Sequence, residues 1–429
     1  MATTSVGRSL ILVFAILYFV QGIAEPTAGL LAQPVRSLLR SWGKNAEEIA
    51  AFMFLVAMPW NLKLVFGLLT DFVPIFRLRR KSYLIITSSL TLIGMGTAAL
   101  IPLPPGSMTL LFLLLILPCI GVAFSDVVTD AYMVDKGQPL GLTGRLQSAQ
   151  WTAMHTAGLL TGVLGGFLSQ HGLQRAGFAI CAALSLVTLY IALVHVDEKA
   201  EHRLKPDQLR HALATLRNAV TQRTVIVVAS FLFLINFNPF SSDVLYVHMT
   251  KSLGFSEQFV GFTYTLNSVG SIAAGVLYGL FAPRIPVRYL VHGSIAFMCL
   301  ASLVYIGLST PAHAVAISLV YGLVYMITTL IQLDLAARYC PPLAAGTIFA
   351  LLMSLTNLGT SSGSVFGGRF YTAWSPVLGA HRTFDILVLI GVAFTAACWL
   401  LNWFVRLDLL PPGSSAGTSR EASPSKPDR

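Results

Sequence analysis

The feature that most constrains this 429-residue sequence is a succession of apolar runs, each close to the length that crosses a bilayer as a helix. They fall at roughly 9–32, 46–70, 82–102, 108–134, 146–169 and 174–195. After a polar stretch they resume at roughly 224–247, 257–282, 289–309, 312–336, 344–371 and 383–405. A span needs roughly 20 apolar residues, so the pattern predicts an all-α membrane protein with twelve transmembrane helices, six and six. Composition agrees. Only 11% of the residues are charged, against about 25% in an ordinary soluble domain, and the mean hydropathy is +0.73. So few charges cannot cover a water-facing surface of this size, and lipid must be the solvent for much of it.

Charge then orients the chain. With the N-terminus placed inside and the spans alternating, 20 of the 28 lysines and arginines fall on the inner side and seven on the outer; Lys63 lies within a span. That bias predicts both termini in the cytoplasm, and the expected location is a bacterial inner membrane. The net charge of +10 reads as this bias rather than as a nucleic-acid surface. Arg8 before the first run resembles a signal peptide, but the apolar stretch continues to Leu31, too long for one. The five cysteines are scattered singly with no C-x-x-C spacing, so neither a metal site nor a disulfide framework is indicated.

The polar interruption divides the chain into a bundle over 1–195, a linker over 196–223, a second bundle over 224–408 and a tail over 409–429. In the linker Leu209, Leu213, Leu216 and Val220 recur at helical spacing, predicting an amphipathic helix on the membrane surface. The tail is rich in Pro, Ser and Gly and reads as disordered. The fifth run carries Gly158, Gly162 and Gly166; the eleventh carries Gly359, Gly363 and Gly367. Glycine at every fourth position makes one flat helix face that a second backbone can approach closely. The matched placement suggests two related halves, an organisation that sets a substrate site between them near the midplane. The alternative is the general abundance of glycine in membrane helices.

Charged groups at membrane depth are costly, so each is a candidate for function. Tyr18, Gln21 and Glu25 share a face of the first run. Lys63 is the one base well inside a span, and Asp126 and Asp130 lie four apart on the fourth. Counting helical rise puts Lys63 and Asp126 at a similar depth, where a base and an acid would pair; Glu25 lies too far outward to reach Lys63. Asp243 falls near the outer end of the seventh run on a face with Asn236, and Asp334 near the inner end of the tenth. The other reading makes Asp130, Asp243 and Asp334 interfacial, Asp126 half of a structural ion pair, and Gln21 and Gln150 bonds between helices. Tyr321, Tyr325, Thr328 and Gln332 on the tenth run, and Trp151 with His155 on the fifth, offer rings and polar edges to a planar ligand; plain aromatic packing is the other reading. No H-E-x-x-H or G-x-x-x-x-G-K-[ST] occurs, and the two G-x-S-x-G matches, Gly359–Gly363 and Gly413–Gly417, fall inside an apolar run and in the Pro/Ser/Gly-rich tail rather than on a strand-to-helix turn, so no hydrolase, zinc protease or ATP-driven machine is indicated, and no cofactor or metal is expected.

The stretch Gly67-Leu68-Leu69-Thr70-Asp71, followed by Arg77, Arg79, Arg80 and Lys81, resembles the loop motif of the major facilitator superfamily. In that reading Gly67, Asp71, Arg79 and Arg80 form a latch that stabilises one conformation of a rocking carrier; the other reading is a topogenic basic loop. The first 170 residues are similar more specifically to the folate–biopterin transporter family. The pieces that carry the likeness are Tyr18-Phe19-Val20-Gln21-Gly22, Pro59-Trp60-Asn61-Leu62-Lys63, Phe124-Ser125-Asp126 with Asp130-Ala131-Tyr132, and Leu146-Gln147-Ser148. The fourth span also resembles those of muropeptide permeases and acetyl-CoA transporters. The resemblance implies a monomeric secondary transporter of a folate or pterin, coupled to protons. The polar and aromatic residues within the spans are then the candidates for the site, with substrate contacts expected from Tyr18, Gln21, Glu25, Lys63, Trp151, Asn236, Tyr321 and Tyr325 and the proton carried by Asp126, Asp130 or Glu25.

Overall fold

The computed structural model describes residues 2–198, 210, 213–214, 216–218, 220–240, 242–281, 284–339 and 345–402. Most of the expected linker helix over 196–223, and the whole tail over 409–429, lie outside these residues. The described helices up to residue 198 are α1 (Ala2–Ala24), α2 (Ala32–Ser41), α3 (Ala46–Ala57), α4 (Lys63–Phe72), α5 (Lys81–Leu100), α6 (Met108–Gly137), α7 (Thr143–Gln170) and α8 (Gln174–Val194). Beyond residue 220 come α9 (Arg223–Asn236), α10 (Asp243–Val247), α11 (Glu257–Phe281), α12 (Val287–Leu303), α13 (Pro311–Tyr339), α14 (Ala345–Leu378) and α15 (Ala380–Asn402).

Eight helical stretches among the described residues are long and apolar enough to cross a membrane. α9 and α12 are apolar but shorter. α7 and α14 have the length, at 28 and 34 residues, but are diluted by Gly, Ser and Thr. The expected number of twelve therefore depends on helices whose composition serves packing as well as lipid.

Three apolar runs expected to be continuous are interrupted. The first stops at Ala24, before Glu25 and Pro26, instead of running to 32. The second is broken at Pro59, which has no N–H to donate and crowds the carbonyl four residues before it. There the chain passes through a 3₁₀ turn, Met58–Leu62, and restarts as α4 at Lys63. The seventh stops at Asn236 and restarts as α10 at Asp243, so these two residues do not share one helix face as expected. α3 starts cleanly, because Asn45 and Glu48 cap it reciprocally at 2.9 and 3.0 Å. Between α4 and α5 the chain reverses through Phe76 and Arg77, both at positive φ, closed by a bridge between Ile75 and Leu78.

Among the first eight helices, α5 packs on α6 and α8, and α1 on α7; later in the chain α11 packs on α13, and α9 on α14. Two extensive contacts join the early helices to the late ones, α7 on α11 and α3 on α14. Both glycine stripes lie in tight contacts, but not equivalent ones. A β-carbon at Gly162 would collide with Thr265 and the Gly261 carbonyl of α11, across the two halves. One at Gly363 or Gly367 would strike the backbone of Asn238 or Pro239, within the second half. The glycine of α14 that packs against the first half is Gly368, against Ala46 and Glu47.

Candidate functional site

The break at Pro59 puts the start of α4, and with it Lys63, in the interior of the first half. Lys63 Nζ lies 2.5 Å from Asp126 Oδ2 and 4.6 Å from the centre of the Trp60 ring. The other Asp126 oxygen accepts from Gln21 Nε2 at 2.5 Å. One turn along α6, Asp130 Oδ1 accepts from the Tyr18 hydroxyl at 2.5 Å and from Gln150 Nε2 at 3.2 Å. Among the described residues no basic side chain stands within ion-pair distance of Asp130. Four helices thus converge on two carboxylates and one ammonium. With both acids ionised the group carries one surplus negative charge, which a proton would cancel. Beside Gln21 a small cavity of about 20 Å³, lined by Ser88, Thr91, Ser125, Thr129 and Ser185 among others, has room for a single water.

Glu25 has a different environment. Its carboxylate accepts from Trp60 Nε1 at 3.0 Å, Thr27 Oγ1 at 2.6 Å and the backbone N–H groups of Thr27 and Ala28. It closes the turn after α1 and fixes the Trp60 indole, and no contact joins it to Lys63. The broken backbone is tied to the second half: Asn357 Nδ2 donates to the Trp60 carbonyl at 3.2 Å. Discontinuous helices with liberated carbonyls are a recurrent way to build a site at membrane depth.

On the second half, Tyr321 and Tyr325 of α13 lie with ring centres 6.0 Å apart, and Tyr325 remains 40% exposed. Asn238 Nδ2 donates to the Tyr321 hydroxyl at 2.7 Å, and Asn236 Nδ2 to Gln332 Oε1 at 2.7 Å. Trp151 stacks on His155, whose Nε2 lies 3.3 Å from Met326 Sδ on α13. The predicted residues therefore fall into two groups: Tyr18, Gln21, Lys63, Asp126 and Asp130 in one network, and Tyr321 with Tyr325 on α13 of the second half. Asn236 is buried and engaged inside the second half.

The basic loop is held within the first half. Arg80, 4% exposed, donates to Asp71 at 2.8 Å, Asp135 at 3.0 Å and Thr70 Oγ1 at 2.9 Å. Arg79 lies 3.5 Å from Asp71, and Gly67 is in ordinary contact with Val127. Glu198 caps α5 by accepting from the backbone N–H groups of Arg79, Arg80 and Lys81. These bonds staple the second, third, fourth and sixth runs together. Arg80→Ala should cost about 1–3 kcal/mol of stability, since its two acid partners are half-exposed and can rehydrate; a melting curve measures this.

At the opposite end the halves meet through charge. Arg36 Nε on α2 lies 2.6 Å from Asp243 Oδ1, and Arg40 lies 2.9 Å from Glu257 Oε1. Asp243 also accepts from Ser364 at 2.5 Å, and Glu257 from Gln33 at 2.8 Å and Tyr246 at 2.7 Å. Sequence reasoning missed this cluster because α2 lies in a stretch that reads as an outer loop.

The profile of the BT1 family matches residues 21–410. The chain belongs to the BT1 family. It is 32% identical over 430 residues to the "Folate-biopterin transporter" of Synechocystis sp., covering 96% of this chain and 84% of that one. It is 22% identical over 488 residues to "Probable folate-biopterin transporter 4" of Arabidopsis thaliana, covering 96% and 97%. Among solved structures the D-xylose-proton symporter superposes with a TM-score of 0.67 at 15% identity, covering 96% of this chain and 98% of that one. At that identity the likeness speaks for the fold: this BT1 protein is a multi-pass α-helical membrane protein with the major facilitator architecture. The family profile begins at Gln21, the Asp126 partner, and takes in Lys63, both aspartates and the broken second run.

Proposed function

We propose that this chain is a secondary carrier, not an enzyme, that moves a folate or pterin across the membrane with protons. The observation that carries the reading is the Lys63–Asp126 pair with Asp130 one turn away, in a chain 32% identical to a named folate–biopterin transporter. A pterin offers a flat ring for Trp60, Tyr321, Tyr325 and Trp151, and amide edges for Gln21 and its neighbours. An anionic group offers Lys63 a second partner. When substrate takes Lys63, Asp126 loses its counter-ion and the two carboxylates of α6 face each other across one turn. A proton then relieves the repulsion, so proton and substrate bind together. Asp130, bonded to a hydroxyl and an amide, is the more natural of the two to hold it; Asp126 positions the lysine, and Glu25 positions Trp60. The bundles over 1–195 and 224–408 are the units that rock, each with six spans, and one chain suffices.

Reconstituted protein should accumulate labelled folate or pterin when the vesicle exterior is made acidic relative to the lumen. Absence of counterflow exchange with either compound would remove the reading.

In this proposal the end carrying Phe76 and Arg80 faces the cytoplasm of a bacterium and both termini lie there. The inner side then holds most of the basic residues, as the positive-inside bias requires. Phe76 is 85% exposed and Ser41 is exposed at the other end. In intact cells Ser41→Cys should react with an impermeant thiol reagent and Phe76→Cys should not. The reverse pattern would invert the orientation.

A further inference from the structure

The charges joining α2 to the second half are not used by the mechanism above, yet they are built with care. Arg36 and Arg40 are one turn apart on one face of α2, and each meets an acid of the other half, Asp243 and Glu257. Arg36, Asp243 and Glu257 are all more than nine-tenths buried. Two polar atoms beside them, Gln33 Oε1 and the Tyr264 hydroxyl, are buried without a hydrogen-bond partner among the described residues. Buried ion pairs are poor devices for stability alone, because desolvation can exceed the attraction.

A carrier of this fold must part its halves at this end in another state. The two acids then withdraw with α10 and α11, and α2 presents two guanidinium groups to water. Side chains four apart on a helix are neighbours, and guanidinium groups pair best with carboxylates in forked geometry. Asp243 and Glu257 show what this pair of arginines accepts, namely two carboxylates held close together.

The geometry points to Arg36 and Arg40 as a receiving site for a dicarboxylate, the glutamyl end of a folate, when this end is open. Asp243 and Glu257 compete with that ligand and replace it as the end closes. The inference rests on the folate reading for the identity of the ligand but not for the existence of the site. Its consequence is selectivity. A pterin without a glutamyl group gains nothing from the two arginines, whereas a folate does.

Arg40 is the more exposed of the pair, and Arg40→Gln leaves the buried Arg36–Asp243 bond in place. Losing one charged hydrogen bond should raise KM for folate about tenfold and leave KM for biopterin unchanged. Glu257→Gln keeps one oxygen to accept from Gln33 or Tyr246 but, being uncharged, weakens the competitor, so it should lower KM for folate alone. A cluster that serves only as a gate would shift both substrates equally in each variant, and that result overturns the proposal. A second readout does not depend on transport. N-benzoylglutamate, a dicarboxylate without a pterin, should increase labelling of a cysteine at buried Ser37 on α2 in otherwise unaltered protein, and not in the Arg40→Gln background. No increase in the unaltered background also overturns the site. If N-benzoylglutamate acts but folate is not carried, the site stands and the substrate reading falls.

Discussion

Protein carrying Lys63→Ala should lose binding of anionic substrate and also melt at a lower temperature. Asp126 is 6% exposed, and without the lysine its remaining partner is the Gln21 amide. Removing one member of a buried pair costs about 3–5 kcal/mol, and every 1.4 kcal/mol is about a factor of ten in an equilibrium. An uptake loss of about a hundredfold follows if about 3 kcal/mol of that cost falls on the binding-competent state. The double variant Lys63→Ala/Asp126→Ala separates the two effects. It removes the stranded charge, so melting should recover toward wild type while substrate binding stays lost. Asp130→Asn should behave differently: exchange of substrate for substrate continues, and accumulation driven by a pH gradient disappears. Wild-type affinity for folate in the Lys63→Ala protein would end the role given to the lysine. Gradient-driven accumulation by Asp130→Asn protein would return the proton to Asp126.

The pairing of Lys63 with Asp126 is legible in the sequence because helical rise is regular. Two residues at matching distances from one membrane face are brought to one level, and the cost of an unpaired charge does the rest. Trp60 was harder to see. It belongs to the quoted run Pro59-Trp60-Asn61-Leu62-Lys63, but its importance comes from the break at Pro59, which turns its carbonyl toward Asn357. A proline inside an apolar run was the available signal. Glu25 stands apart from the Lys63–Asp126 pair. A carboxylate one turn from Gln21 looks like part of the same site, yet it lies just past the last residue of α1 and accepts backbone N–H groups. The α2 cluster was the least legible. Its arginines read as outer-loop charges, and their partners lie more than 200 residues away. No periodicity connects positions that only the association of two halves brings together.

The glycine stripes repeat in the sequence, but their contacts differ, and this leads to the second large effect. Gly162→Leu should abolish stable folding or lower melting far more than an ordinary surface change. Over-packing usually costs about 1–3 kcal/mol because side chains can shift. Here a β-carbon at 162 meets the Gly261 carbonyl and the Thr265 backbone nitrogen, which cannot give without moving α11. Gly96 of α5 is the control: a β-carbon there meets nothing within 4 Å, and replacing a helical glycine gains up to about 1 kcal/mol of propensity. Gly96→Leu should therefore be neutral or mildly stabilising. The gentler pair Gly162→Ala and Gly363→Ala tests the asymmetry. Gly162 faces the other half against Gly261 and Thr265, one turn from the contact of Gly166 with Glu257, so even one methyl group should lever α7 from α11 and expose a cysteine placed at Ser37. Gly363 faces Asn238 in its own half, so its alanine variant should lower melting without exposing Ser37. If both alanine variants expose that cysteine equally, the two stripes act alike and the distinction drawn from their packing is wrong.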